Sequence, residues 1–292
     1  MEYHSMKELF AVADAEKCSP GIIACKVEAE ESGKSYEQIW DRMKYTIPVF
    51  REAIRKGLED TEKSASGLVG GDGNRFYNGQ MRFMSPLCQK AASYAVATAE
   101  ANAKMYRIVA CPTAGSCGIL PSVLFAVAED INASAYDITS ALFTAGAIGK
   151  IIASKASIAG AVGGCQAECG SAAAMAAAAT VDLLKGTTGQ MGNAFALALK
   201  NILGLVCDPV GGLVEVPCVK RNAFHAVHAL LAADMAMNGI KSVIPPDEVI
   251  EAMGDVGRRL PVELKETSRA GLAVTKTGKR INDELMRKAR NI

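Results

Sequence analysis

From Ala172 to Ala179 the chain is alanine at every position except Met175, inside the stretch "SAAAMAAAATVDLL". No other segment limits the possible folds as strongly. Alanine is the best helix former and loses no side-chain freedom on burial. It offers a pleated sheet neither a branched nor an aromatic side chain to pack. A helix clothed so thinly lets neighbouring backbones approach closely, and the rest of the chain can supply such neighbours. Half of its residues are hydrophobic but only 5% are aromatic, so Ala, Val, Leu, Ile and Met make the core. The expected fold class is all-α, an Ala/Gly-rich helical domain with glycine-rich loops at a central site.

Hydrophobic spacing places helices near 87–107, 119–130, 137–155, 167–185, 188–204, 218–239 and 246–258. Residues 5–65 read as charged amphipathic helices. In "SYEQIWDRMKYTIPVFREAIRKGLEDTEK", Ile39, Met43, Ile47 and Phe50 or Ile54 follow helical spacing, with Ser35 as N-cap. Pro48 is expected to kink that helix without ending it, because the periodicity continues beyond it. "YRIVAC" is the best strand candidate, and it is short. The expected organisation is an N-terminal helical segment, 1–65, forming one unit with a larger domain, 66–292.

The loops carry the chemical signals. Residues 66–86, "SGLVGGDGNRFYNGQMRFMSP", are glycine-rich and polar. "GGDG" suggests a phosphate loop, but the GxxxxGK[ST] pattern and a flanking strand are both missing. "VACPTAGSCGILP", "SIAGAVGGCQ" and "GLVCDPVGGLVEVPC" stand at helix boundaries and expose backbone N–H groups, which suits an anion such as a carboxylate.

Charge and cysteine usage remove several function classes. The 32 basic and 31 acidic residues are interspersed, so no nucleic-acid surface is expected. The most apolar span, roughly 156–181, contains Gly160, Gly163, Gly164 and Gly170 with Gln166 and Glu168, which argues against a membrane helix. The N-terminus shows no basic region followed by an apolar one, so the expected location is the cytoplasm. In that reducing compartment the nine cysteines stay free or bind metal. Cys165, Cys207 and Cys218 each lie at a glycine- or proline-marked helix boundary, without CxxC spacing. Their placement leaves two roles open, buried packing and metal ligation.

"GGCQAECGSAAAMAAA" together with "NILGLVCDPVGGLVEVPCVKRNA" closely resembles the iron–sulfur-dependent bacterial L-serine dehydratases, or L-serine ammonia-lyases. "PTAGSCGILPSV" and "SIAGA" belong to the same pattern, and the resemblance runs from about Ser66 to "GLAVTKTG". It is similar to the α subunit of the two-subunit type. The resemblance implies a catalytic domain in which Cys165, Cys207 and Cys218 hold a [4Fe–4S] cluster with one open iron. It implies deamination of L-serine to pyruvate and ammonia, a carbon–oxygen lyase reaction of amino-acid catabolism. Cys169 stands where the family pattern has an aliphatic residue, so a packing role is expected for it.

The catalytic candidates are Glu168, in "CQAE", and Lys155, ahead of the "SIAGA" loop. Beside a cluster and partly desolvated, Glu168 is expected to have a raised pKa. Thr113, Ser116, Asn222, Asn74 and Arg75 are the candidates for binding substrate, with Arg221 beside Asn222 as another. His225 and His228 are expected to be structural. Related proteins carry a histidine-bearing segment in a β portion, which "EYHSM" does not match. The chain is therefore expected to pair with a separate β subunit in an α/β hetero-oligomer. Rival readings are an L-cysteine desulfidase or threonine-preferring lyase of the same type, and a non-catalytic metal-binding helical subunit.

Overall fold

The computed structural model describes residues 2–290. The chain opens with α1 (Met6–Glu16), α2 (Pro20–Ser32), α3 (Tyr36–Lys44) and α4 (Thr46–Glu59). A short α5 (Asp72–Tyr77) precedes α6 (Pro86–Ala103), α7 (Ile119–Asp130) and α8 (Ala135–Lys155). A four-residue α9 (Gly160–Gly163) and a π turn (Gln166–Gly170) lead into α10 (Ser171–Leu183). Then come α11 (Thr188–Lys200), α12 (Cys218–Met237), α13 (Pro246–Arg259) and α14 (Lys276–Arg290). The only β pairing among the described residues is an isolated bridge between Cys207 and Lys265. The fold is all-α, as the alanine run and the scarcity of aromatics require.

Hydroxyl side chains begin six of these helices. Ser5, Ser19, Ser35, Ser85, Ser134 and Thr187 each accept a hydrogen bond from a backbone N–H in the first turn. Each such cap contributes about 1 kcal/mol. Ser35 caps α3 as expected, in a reciprocal box with Gln38. The expectation that the helix runs through Pro48 is not met. The helix breaks at Tyr45, and Pro48 falls in the first turn of α4, where its missing N–H would have had no helical partner. "YRIVAC" is an extended connector without a strand partner.

All thirteen residues of α10 are buried. It packs against α7, α8, α11 and α12, so it has no solvent face to decorate. The N-terminal helices join the same core, α2 lying on α8 and α4 on α6. Among the described residues no helix is long and apolar enough to cross a membrane. Overpacking should be costly at the centre of this frame. Ala177→Leu, at a position with no exposure, is expected to destabilise the fold by about 3 kcal/mol, read from the denaturant midpoint.

The glycine-rich segment 66–86 closes on itself. The buried Glu100 carboxylate on α6 accepts hydrogen bonds from the N–H groups of Gly70 (3.0 Å), Asp72 (3.0 Å) and Gly73 (3.2 Å). Gly70 has φ +133°, and a Cβ there would stand 2.0 Å from the Glu62 carbonyl oxygen, so only glycine fits. The amides of "GGDG" thus serve an anion supplied by the chain itself.

Candidate active site

Three loops, distant in sequence, meet at the end of α10. The first leaves α9 through Gly164 and presents Cys165, followed by the π turn. Gln166 fixes this loop. Its Nε2 donates to the carbonyls of Gly163 (2.9 Å) and Met253 (3.2 Å), and its Oε1 accepts from the Gly204 N–H (2.9 Å). Every polar atom of the buried amide is used, which ties the Cys165 loop to α13 and to the chain leaving α11. Such π turns recur at functional sites, and here one precedes the alanine helix.

The second loop holds Cys207. Its N–H donates to the Leu264 carbonyl (2.9 Å), and its own carbonyl accepts from the Glu266 N–H (2.8 Å). The third cysteine, Cys218, is the first residue of α12. Asn222, one turn further on, locks that helix start to the "PTAGSCG" loop. Its Oδ1 accepts from the Gly118 N–H (3.0 Å), while Nδ2 donates to the carbonyls of Gly115 and Cys218, both at 2.9 Å.

Cys165, Cys207 and Cys218 line one cavity of about 240 Å³, and Cys169, Glu168 and Thr113 join them. Cys169 lies 3.4 Å from Cys165, sulfur to sulfur. Both packing and exposure to the cavity therefore describe it. All of these cysteines are free thiols. Among the described residues, no three His, Cys, Asp or Glu side chains stand close enough to share a single metal ion. Wider hollows of about 450 Å³, beside α2, α3 and α8, and about 560 Å³, beside α6 and α12, have no cysteine in their walls.

Electrostatics separate the thiols. Burial pushes Cys207 upward and Cys218 up to about 12. Cys165 moves the other way, because the Cys169 thiol beside it and the Arg221 guanidinium both favour its thiolate. Arg221 is held by the Val206 carbonyl (3.0 Å) and by Asp208 (2.9 Å), whose other oxygen accepts from the Leu272 N–H (2.8 Å). One buried ion pair thus joins α12, the Cys207 loop and the segment after α13.

Glu168 is the carboxylate nearest these thiols, with Oε2 3.9 Å from the Cys207 sulfur. Burial raises its pKa, and Glu266 adds to the shift, while hydrogen bonds from Thr113 and the Gly160 N–H oppose it. Gly160 leaves the room it needs. A Cβ there would stand 2.5 Å from Glu168 Oε2 and 3.2 Å from the Cys207 sulfur. Gly160→Ala is therefore expected to displace the carboxylate and lower kcat about 100-fold in any reaction that uses it, measured in the steady state.

Several expected site residues lie elsewhere. Lys155 pairs with Asp247 (2.9 Å), which also accepts from the N–H groups of Met6 and Lys7, so this lysine joins α8 to α13 and α1. Asn74 donates to the Leu58 carbonyl, and the exposed Arg75 faces Asp72. Both are on the α5 segment, away from the thiols. Asn222 is fully buried, with its amide engaged by three backbone groups, and does not line the cavity. Ser116 is buried behind Thr113, their hydroxyls 3.1 Å apart, and only Thr113 reaches the cavity wall. His225 and His228 bond to the carbonyls of Arg221 and Ala198, away from the thiol cavity. Burial pushes His225 down to about 4, which keeps the ring neutral. Sequence reasoning missed Glu266, which reaches the cavity through the bridge beside Cys207 and has no motif spacing to announce it.

The family profile described as "Serine dehydratase alpha chain" matches residues 18–273. The chain is 46% identical to the "Probable L-serine dehydratase, alpha chain" of Bacillus subtilis, over 97% of this chain and 95% of that protein. It is 41% identical to the "L-serine dehydratase, alpha chain" of Peptoniphilus asaccharolyticus, over 89% of this chain and 90% of that one. Against the "L-serine dehydratase" of Streptomyces coelicolor it is 45% identical over 62% of its own length, which is 40% of the longer protein.

Proposed function

The chain belongs to the serine dehydratase alpha-chain family, and from that premise we propose that it is the iron–sulfur-bearing subunit of an L-serine ammonia-lyase. The observation that carries this reading is the meeting of Cys165, Cys207, Cys218 and Glu168 on one cavity, although Cys165 lies some forty residues before the loop whose two ends are Cys207 and Cys218. The thiol set suits a cluster better than a lone ion. An iron–sulfur cube takes each thiolate at a different corner, so it needs them spread around a cavity and not gathered at a point. A [4Fe–4S] cluster held by these three residues would supply an open iron as Lewis acid toward the hydroxyl and carboxylate of serine.

The residues of the chain divide the remaining work. Glu168, lodged against Gly160 with Oε2 3.9 Å from the Cys207 sulfur, takes the α-proton of serine. The Cα–Cβ double bond forms as the β-hydroxyl departs, and with one proton it leaves as water. Aminoacrylate tautomerises to an imine, and water hydrolyses that to pyruvate and ammonia. Arg221, fastened by Asp208, places a positive charge beside Cys165 and offsets the negative charge that bound thiolates bring into a buried site.

A second polypeptide is part of this proposal. The relatives matched over their whole length are named alpha chains, and the S. coelicolor enzyme carries a further portion that this chain does not match. A cytoplasmic α/β hetero-oligomer follows from that reading. The test is anaerobic purification with and without the β chain. A brown chromophore that bleaches in air, and pyruvate formed from L-serine only when both chains are present, are the expected results. A colourless zinc-containing protein would overturn the reading, and faster turnover of L-cysteine or L-threonine would reassign the substrate.

A further inference from the structure

The mouth of the thiol cavity carries an acidic side chain that the chemistry above leaves without a task. Glu266 lines the cavity together with the cysteines and Glu168. The bridge to Cys207 fixes its position, since the Glu266 N–H donates to the Cys207 carbonyl at 2.8 Å. Its backbone has φ +63°, a left-handed conformation that costs a residue with a Cβ about 1 kcal/mol or more. The neighbouring Ser268 is left-handed too, and its hydroxyl is anchored to the Pro209 carbonyl (2.6 Å).

On its cavity side this exposed carboxylate stands near enough to Glu168 and the Cys207 thiol to raise the pKa of each. Among the described residues it accepts no side-chain hydrogen bond and joins no ion pair, and no Lys, Arg or His lines the cavity. The Arg221 guanidinium, which favours the Cys165 thiolate, is already committed to Val206 and Asp208. Two carboxylates facing one cavity repel each other unless a positive group comes between or beside them. The cavity wall offers Glu266 no basic side chain, and an amino-acid substrate brings an ammonium group.

We propose that Glu266 binds the α-ammonium group of the substrate and so sets the preference for amino acids over hydroxy acids. The inference rests on the serine reading of this cavity and assigns its amine subsite. Glu168, packed against Gly160 and Cys207, faces the reacting carbon, while Glu266 at the mouth takes the nitrogen through charge-assisted hydrogen bonds. The arrangement also fixes the order of the groups, with the amine outward and the hydroxyl and carboxylate inward.

The test uses the cluster-loaded complex with its β chain and the substitution Glu266→Gln, which keeps side-chain length and backbone strain. KM for L-serine is expected to rise about 30-fold with kcat changed less than about threefold, because a charged hydrogen bond is lost from binding. Inhibition by L-glycerate, which carries a hydroxyl in place of the ammonium, is expected to stay the same or strengthen. Cluster absorbance per chain serves as the readout of an intact site. Glu266→Gly, suited to the left-handed backbone, is expected to repeat the pattern and covers the case of a Gln variant that folds poorly. An unchanged KM in an active enzyme, or equal weakening of serine and glycerate, would overturn this inference alone. A wild-type complex with no activity on L-serine would overturn the serine reading itself.

Discussion

Cys207→Ser is expected to give a folded, colourless protein with no measurable serine turnover. The oxygen of serine is a poor substitute for a thiolate on iron, since its hydroxyl stays protonated where a thiol is readily ionised by metal. The loss of activity should exceed about 1000-fold, because without its metal the site can no longer polarise the departing hydroxyl. Folding should survive. The bonds that place residue 207 are made by its backbone with Leu264 and Glu266, and Ser preserves them. The measurement is iron and sulfide content per chain beside a thermal melt. Cys169→Ala is the control, expected to retain most of both cluster and activity. Equal bleaching in that variant would move Cys169 into the ligand set.

Glu168→Gln is expected to leave the chromophore intact and lower kcat about 1000-fold, the loss typical of a missing general base. The amide keeps the shape of the side chain, so it still fits the space that Gly160 leaves. With [α-²H]serine the slowed variant should show a larger isotope effect on kcat than the wild type, since proton removal then limits the rate. A variant that stays within about threefold of wild type would place the base on another residue, the β chain being the first place to look.

Much of this architecture is legible along the chain because helices report themselves locally. The spacing of apolar residues, the Ser and Thr caps and the alanine run give α6 to α8 and α10 to α13 to within a few residues, while the four-residue α9 lies in a stretch that reads as a loop. The misreadings have local causes as well. Pro48 marks an interruption whose position, Tyr45, depends on which carbonyl loses its donor. "YRIVAC" has strand-forming side chains but no neighbour to pair with. The thiols were findable because they lie in long, unusual motifs. Asn222, an amide four residues after Cys218, looks free in one dimension, and only the fold shows its bonds to Gly115, Gly118 and Cys218. The pairing of Lys155 with Asp247, at the start of α1, is hidden in the same way. Glu266 could not be read at all. Its place depends on a single bridge between two irregular segments, and no periodicity encodes that.

The carboxylate of Glu100 reverses the usual meaning of a glycine-dense loop. A nucleotide or sugar phosphate approaching "GGDG" would find the vacancy already taken, and taken by a negative charge that cannot diffuse away. In this chain the motif works as a latch that fastens one helix to the turn before it, so a search for phosphorylated metabolites guided by those glycines would be looking at a closed door.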